Sequence, residues 1–285
     1  MGVGNAGNAA AVRLVIGGVV MKPGMRGSVA RWVASGLLLL PSLSAFAAET
    51  PLDKVLACMR ANIPQTVQIK EVELTATDRS GGNRVMRGRL YGTREDDRLR
   101  ASIKIDAPAD LAGAAYLLRE REAGDEMYVY VPALNKVRRV TGAGVDGALW
   151  GTDLSYGDVK QLNNAFTAGN TQLAGTGMLE GRPVYLLAAK PSPAQPSRFG
   201  LVRTWIDQKS CVALKAEFLE GQTVRKRLLV NPKDLKQSGP HWYAAVAQMS
   251  DLQESTRTVL KVLGVSAGVD LSGRHFNPAT FYLGG

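Results

Sequence analysis

Histidine and cysteine are scarce in this chain of 285 residues, which has two of each. The histidines, His241 and His275, stand far from any partner motif. No H-E-x-x-H occurs, and no cysteine pair has ligand spacing, so no metal site is expected. The looser glycine run 142–147 lacks both the lysine and the strand-to-helix setting of a phosphate loop. Past Ala47 no apolar run is long enough to span a bilayer as a helix. There are no internal repeats. These absences argue against a metalloenzyme, a P-loop nucleotide binder and a helical membrane protein, and no cofactor is expected.

Hydrolase chemistry is also poorly served. Gly264-Val-Ser-Ala-Gly268 fits the letters of a nucleophile elbow, but an elbow needs a strand running into a helix, with acid and histidine partners downstream. Here a glycine-rich coil follows, and His275 comes too soon after Ser266. The carboxylate pairs Asp96-Asp97 and Glu120/Glu122 read as solvated turn and strand faces, not as two acids across a glycosidic cleft. The expectation is a protein without catalytic residues.

What is present begins with an export signal. Lys22, Arg26 and Arg31 make a basic start, 32–40 a mostly apolar stretch, and Ala45-Phe46-Ala47 the small residues that signal peptidase needs. Cleavage is expected after Ala47 or Ala48. Residues 1–20 read as upstream of a mis-assigned start, so 1–47 is signal region and 48–285 a single domain in the periplasm. Net charge is +10, and losing Arg13, Lys22, Arg26 and Arg31 leaves 10 − 4 = +6. At a periplasmic address that surplus suits anionic head groups or an acidic partner rather than nucleic acid, the alternative being scattered charge that only keeps the protein in solution. In that oxidising compartment Cys58 and Cys211 invite a disulfide across 153 residues, the alternative being two buried thiols.

Residues 51–62 carry Leu52, Val55, Leu56 and Met59 at helical spacing, with Pro51 suited to the first turn and Pro64 ending the run. Short strands then follow one another. Residues 99–105 alternate cleanly, and others are expected at 84–94, 114–122, 125–131, 136–140, 171–179, 183–190, 201–207, 212–219, 224–230, 242–251 and 256–262. Turn signals such as Glu180-Gly181, Glu220-Gly221 and Ser238-Gly239-Pro240 separate them, which points to an antiparallel meander. Val67 and Ile69 share a phase that flips before Val72 and Leu74, suggesting a bulge near Lys70-Glu71. A helix is expected from Asp153, as its cap, through Leu162. The aromatic tail 268–285 should pack. Met127-Tyr128-Val129-Tyr130-Val131 is apolar on both faces and needs cover on both, either two ordinary cores or one core and a ligand cavity. Of Arg138 and Arg139 only one can face inward; it would pair with Asp153 or Asp158, as a gate or as a structural pin.

These last residues carry a family resemblance. Asp125, Tyr128, Tyr130, Pro132, Val137, Arg138 and Arg139, followed by Gly151, Asp153, Ser155, Tyr156 and Asp158, resemble the signature of the LolA-like outer membrane lipoprotein-sorting proteins. Cys58 to Pro64, Asp78-Arg79-Ser80-Gly81-Gly82, Trp205-Ile206-Asp207 and 211–218 are similar to other parts of the same group. The chain departs from the pattern at Trp150, Thr152 and Gly157, the last of which replaces an acid beside Asp158. The resemblance implies a mainly β fold: an open, strongly curved antiparallel half-barrel of about eleven strands with covering helices, binding acyl chains on its concave face. Ligand-binding or gating positions would then be Tyr128, Tyr130, Arg138, Arg139, Trp150, Asp153, Tyr156 and Asp158. The expected function is a monomeric periplasmic carrier of a lipid or lipoprotein acyl group, touching membranes transiently and working with an exporter of the resistance-nodulation-division type. The competing expectation is an envelope interaction module that carries nothing.

Overall fold

The computed structural model describes residues 50–162, 170–191, 193, 196–268 and 273–283; the expected export segment and its cleavage site lie outside them. Helix α1 (Pro51–Ala61) starts as its sequence directs. The Thr50 hydroxyl accepts the Asp53 amide while the Asp53 carboxylate accepts the Thr50 amide, a reciprocal cap with proline in the first turn. Val55, Leu56 and Met59 bury one stripe of α1 against Leu187, Ile206 and Ala213. Cys58 on that helix is disulfide-bonded to Cys211, Cα atoms 5.8 Å apart.

The strands are β1 (Gln68–Thr77), β2 (Asn83–Glu95), β3 (Arg98–Ala107), β4 (Ala115–Arg119), β5 (Glu126–Val131), β6 (Lys136–Val140), β7 (Thr171–Leu179), β8 (Arg182–Ala189), β9 (Leu201–Asp207), β10 (Ala213–Glu220), β11 (Thr223–Leu229), β12 (Leu235–Ser238), β13 (His241–Ala244), β14 (Val246–Asp251) and β15 (Thr256–Ala267). Thirteen of them form one antiparallel sheet in the order β6-β5-β4-β3-β2-β1-β15-β14-β11-β10-β9-β8-β7. Two meanders thus meet where the first long strand pairs with the last. Edges β6 and β7 are not paired to each other, so the sheet is open, with thirteen strands rather than about eleven.

Three local expectations fail for identifiable reasons. The run 242–251 is not one strand: it breaks at Ala245, and β13 turns back onto β12 as a separate two-stranded ribbon. The helix from Asp153 shrinks to α2 (Val159–Leu162), because the Asp153 carboxylate accepts the Thr256 and Thr258 hydroxyls instead of capping amides. The bulge is not in β1, which pairs with β2 without a slip; the extra residue is Leu263 on β15, opposite Glu71/Val72.

The phase change in β1 has another cause. Val72 and Leu74 face the inner side, where two cores fill the space under the 145–162 segment. Val67 and Ile69 face the outer side, with Tyr91, Ala115 and Leu117, where Phe276 and Phe281 of the C-terminal tail cover them. The doubly apolar strand β5 follows the same division: Met127 joins an inner core, while Tyr128 and Tyr130 lie under the tail, Tyr130 stacking on Tyr282 at 4.2 Å. Both covers are protein.

Candidate functional site

Between the two inner cores the sheet leaves an apolar cavity. Val72, Leu90, Leu228, Ala247, Leu260 and Val262 supply walls from β1, β2, β11, β14 and β15. Its volume is about 50 Å³. That admits a few waters, at roughly 10–15 Å³ each, and falls well short of the roughly 300–1,000 Å³ of an open ligand pocket.

The cover consists of the α1–β1 link, Leu162 and the β12–β13 ribbon, which contributes Trp242, Tyr243 and Ala244. Its latch is short. The Trp242 amide donates to Asn62 Oδ1 at 2.8 Å, and His241 Nδ1 lies 2.8 Å from the Ala61 carbonyl. Asn62 Nδ2 donates in turn to the Ser210 carbonyl at 2.7 Å. Asn62, the last residue of α1's cap, therefore ties the ribbon to the β9–β10 turn, the turn that also holds Cys211. At its base the ribbon joins the sheet through the Ala245 amide to Asp234 and the Val262 amide to Ala245, each 2.8 Å.

Lys70 is the charged residue among those lining the cavity. It stands two residues from Gln68 and two from Val72, so all three share the inner face of β1. Its ammonium lies 5.4 Å from the centre of the Tyr243 ring and has no carboxylate partner among the described residues. The residue keeps some exposed surface through the cavity, but its charge is enclosed by protein, and desolvation pulls its pKa from 10.5 down to about 8.

A second, polar cleft of about 710 Å³ lies between the 146–155 segment and the strand ends, with Asp153, Lys226, Asp251 and Thr256 on its walls. Its charges are mostly committed: Asp251 pairs with Arg225 at 3.0 Å, and Lys226 with Asp158 at 2.6 Å.

The residues singled out in the sequence do not converge on the apolar cavity. Tyr128 and Tyr130 are on the opposite face of the sheet. Arg138 opposes Val129 and Arg139 opposes Tyr128 on edge strand β6; both are exposed, and neither reaches Asp153 or Asp158. Trp150, at φ 51°, packs between the two inner cores with its indole N–H buried and unpaired. The Tyr156 carbonyl accepts the Tyr116 hydroxyl at 2.7 Å, and burial raises both phenol pKa values. Asp158 accepts the Ser155 amide at 2.7 Å besides its lysine. This segment organises the inner core. The cavity residues missed in the sequence are Gln68, Lys70, Trp242 and Tyr243. For the first two a signal existed, since they share the phase of Val72 and Leu74. Ser266 of the elbow-like motif lies within β15, paired with Ile69.

A protein-family model described as that of an uncharacterized protein matches residues 97–282. A structure from Vibrio parahaemolyticus, described as an outer membrane lipoprotein-sorting protein domain, superposes with TM-score 0.71 at 21% identity, covering 80% of this chain and 97% of its own. A DUF1329 family protein from Desulfovibrio piger gives 0.69 at 21% identity, covering 79% and 95%. A LolA superfamily protein from Nitrosomonas europaea gives 0.60 at 17% identity, covering 79% and 96%. No curated protein matches the chain significantly.

Proposed function

The chain belongs to a LolA-like family, and from that premise we propose that it is a periplasmic carrier for the acyl chain of a lipid or lipoprotein. The observation that carries this reading is the aliphatic cavity at the centre of the sheet, covered by a ribbon that a few hydrogen bonds hold shut. In its closed form the cavity is far too small for an acyl chain, so loading requires the ribbon and the end of α1 to move off the inner face. Burying about fifteen CH₂ groups is worth on the order of 12 kcal/mol gross, at ~0.8 each. Opening the cover consumes part of that, which keeps net affinity within a range that permits hand-over. Release to an exporter of the resistance-nodulation-division type, during transient membrane contact, completes the proposed cycle for a monomeric, non-catalytic carrier.

The test is mass spectrometry of lipid extracted from the protein purified gently from periplasm, combined with uptake of a fluorescent acyl probe. Stoichiometric lipid, or saturable uptake that Val72→Trp or Leu260→Trp blocks, supports the carrier. Protein that is lipid-free and takes up no probe sinks it. That second outcome would favour a module that docks a partner, a reading to which the small cavity and the exposed Lys136, Arg138 and Arg139 on edge strand β6 lend weight.

A further inference from the structure

Among the described residues, the buried and half-buried lysines are partnered, with one exception. Lys226 lies 2.6 Å from Asp158, Lys160 lies 2.9 Å from Asp125 and 3.3 Å from Glu120, and Lys104 donates to the Leu283 carbonyl at 2.7 Å. Lys70 has only the face of Tyr243, at the apolar cavity. An enclosed ammonium without an anion is costly, and a fold that pairs its other buried lysines has no structural need to leave this one. Gln68 stands beside it on the same face of β1, is also buried and also lines the cavity, so an ammonium and an amide are presented together.

Resting on the carrier reading above, we infer that Lys70 and Gln68 form the head-group end of the cavity, and that its ligand is a long-chain amphiphile ending in a carboxylate. A carboxylate brings one charge and two acceptor oxygens, matching one ammonium and one amide. A phosphate monoester brings nearly two charges and three acceptors, more than this pair can satisfy. The aliphatic walls at Leu228, Ala247, Leu260 and Val262 take the chain. The desolvation that weakens Lys70's hold on its proton in the closed protein is relieved when an anion arrives beside it.

The experiment titrates the full-length mature protein at pH 7 with cis-parinaric acid, a fluorescent long-chain carboxylate, and with its methyl ester. Wild type should bind the acid at least tenfold more tightly than the ester. Lys70→Met keeps the length and apolar volume of the side chain. It should reduce acid affinity to that of the ester, leaving ester affinity unchanged, while Lys70→Arg retains the preference. Thermal melts check that both variants are folded. An acid preference that survives in Lys70→Met overturns the assignment, and so does displacement of the probe by lysophosphatidic acid at lower concentration than by palmitate. If wild type binds neither acid nor ester, the carrier reading itself falls. If wild type and Lys70→Met bind both alike, the carrier stands and only the Lys70 assignment is lost.

Discussion

Lys226 reaches from β11 to set its ammonium 2.6 Å from the Asp158 carboxylate, with both side chains 4% exposed. The pair fastens the 151–158 segment to the inner face, flanked by the Phe199 and Phe218 rings at 5.7 and 5.4 Å from the ammonium. Removing one partner strands the other as a buried charge, which typically costs about 3–5 kcal/mol. Lys226→Met and Asp158→Leu should each lower stability by that order in urea denaturation. The double variant should recover much of the loss, since it leaves no uncompensated charge. Strictly additive single effects would show that the two groups are not coupled.

Lys70 should behave in the opposite sense. Its folded pKa of about 8 lies below the unfolded 10.5, so the unfolded chain binds more protons between those values. The destabilisation is therefore full below pH 8 and fades as pH rises toward 10.5, where the amine is neutral in both states. Tyr243 is the other titratable side chain lining the cavity. Lys70→Met should stabilise the ligand-free protein at pH 7 by roughly 1–3 kcal/mol, discounted from about 1.4 per pKa unit for the exposure the residue keeps. The advantage over wild type should shrink between pH 8 and 10. Urea midpoints across that range decide it, and a constant difference would mean the ammonium is not desolvated.

Asn62 spans the latch, accepting from Trp242 and donating to the Ser210 carbonyl. At about 1 kcal/mol net per hydrogen bond, Asn62→Ala should raise the open population of the ribbon about tenfold or somewhat more. Hydrogen exchange over 235–244 should accelerate accordingly, while β3 and β4 stay protected. An acyl probe should also load faster. Unchanged exchange in the ribbon would show that side-chain packing, not Asn62, holds the cover.

Tyr130 tests the division between the faces. It stacks on Tyr282 at 4.2 Å and donates its hydroxyl to Asn135 Oδ1 at 3.0 Å, all on the outer side. Tyr130→Ala should cost about 1–3 kcal/mol of stability through lost burial and stacking and leave acyl-probe affinity within twofold of wild type. A tenfold loss of probe affinity in folded protein would return Tyr130 to the binding site.

The meander was legible in the sequence because alternation and turn residues are local: strands 136–140, 171–179 and 201–207 have the boundaries read from their residues. The site was not, because it depends on which face meets which cover. Val67 and Ile69 look like a register error until the tail carrying Phe276 and Phe281 is seen over them. Reading their phase as a bulge hid the fact that Gln68 and Lys70 point inward with Val72. The ribbon was hidden by an apolar run, 242–251, that continues in sequence but breaks at Ala245, whose carbonyl accepts the Val262 amide. Asp153 has the sequence of a helix cap, but two threonines more than a hundred residues away occupy its carboxylate. Long-range partners overrode local preference at each of these places.

The Cys58–Cys211 disulfide, anticipated from cysteine count and compartment, links the same two elements that Asn62 bridges, with a sequence separation of 153. Closing so long a loop constrains the unfolded chain by up to roughly 5 kcal/mol in the chain-entropy model. Helix α1 keeps Val55, Leu56 and Met59 in its core without the bond, so Cys58→Ala/Cys211→Ala should still fold, with a lower urea midpoint. The local consequence matters more for the proposed carrier cycle. With α1 anchored only by packing, its C-terminal end and the ribbon it latches should open together. Hydrogen exchange should therefore rise over 51–62 and 235–244 in the double variant, and acyl-probe loading should quicken without a change in the Lys70-dependent preference for the acid. A lowered midpoint with no change in ribbon exchange would mean that the disulfide stabilises the fold but has no part in the latch.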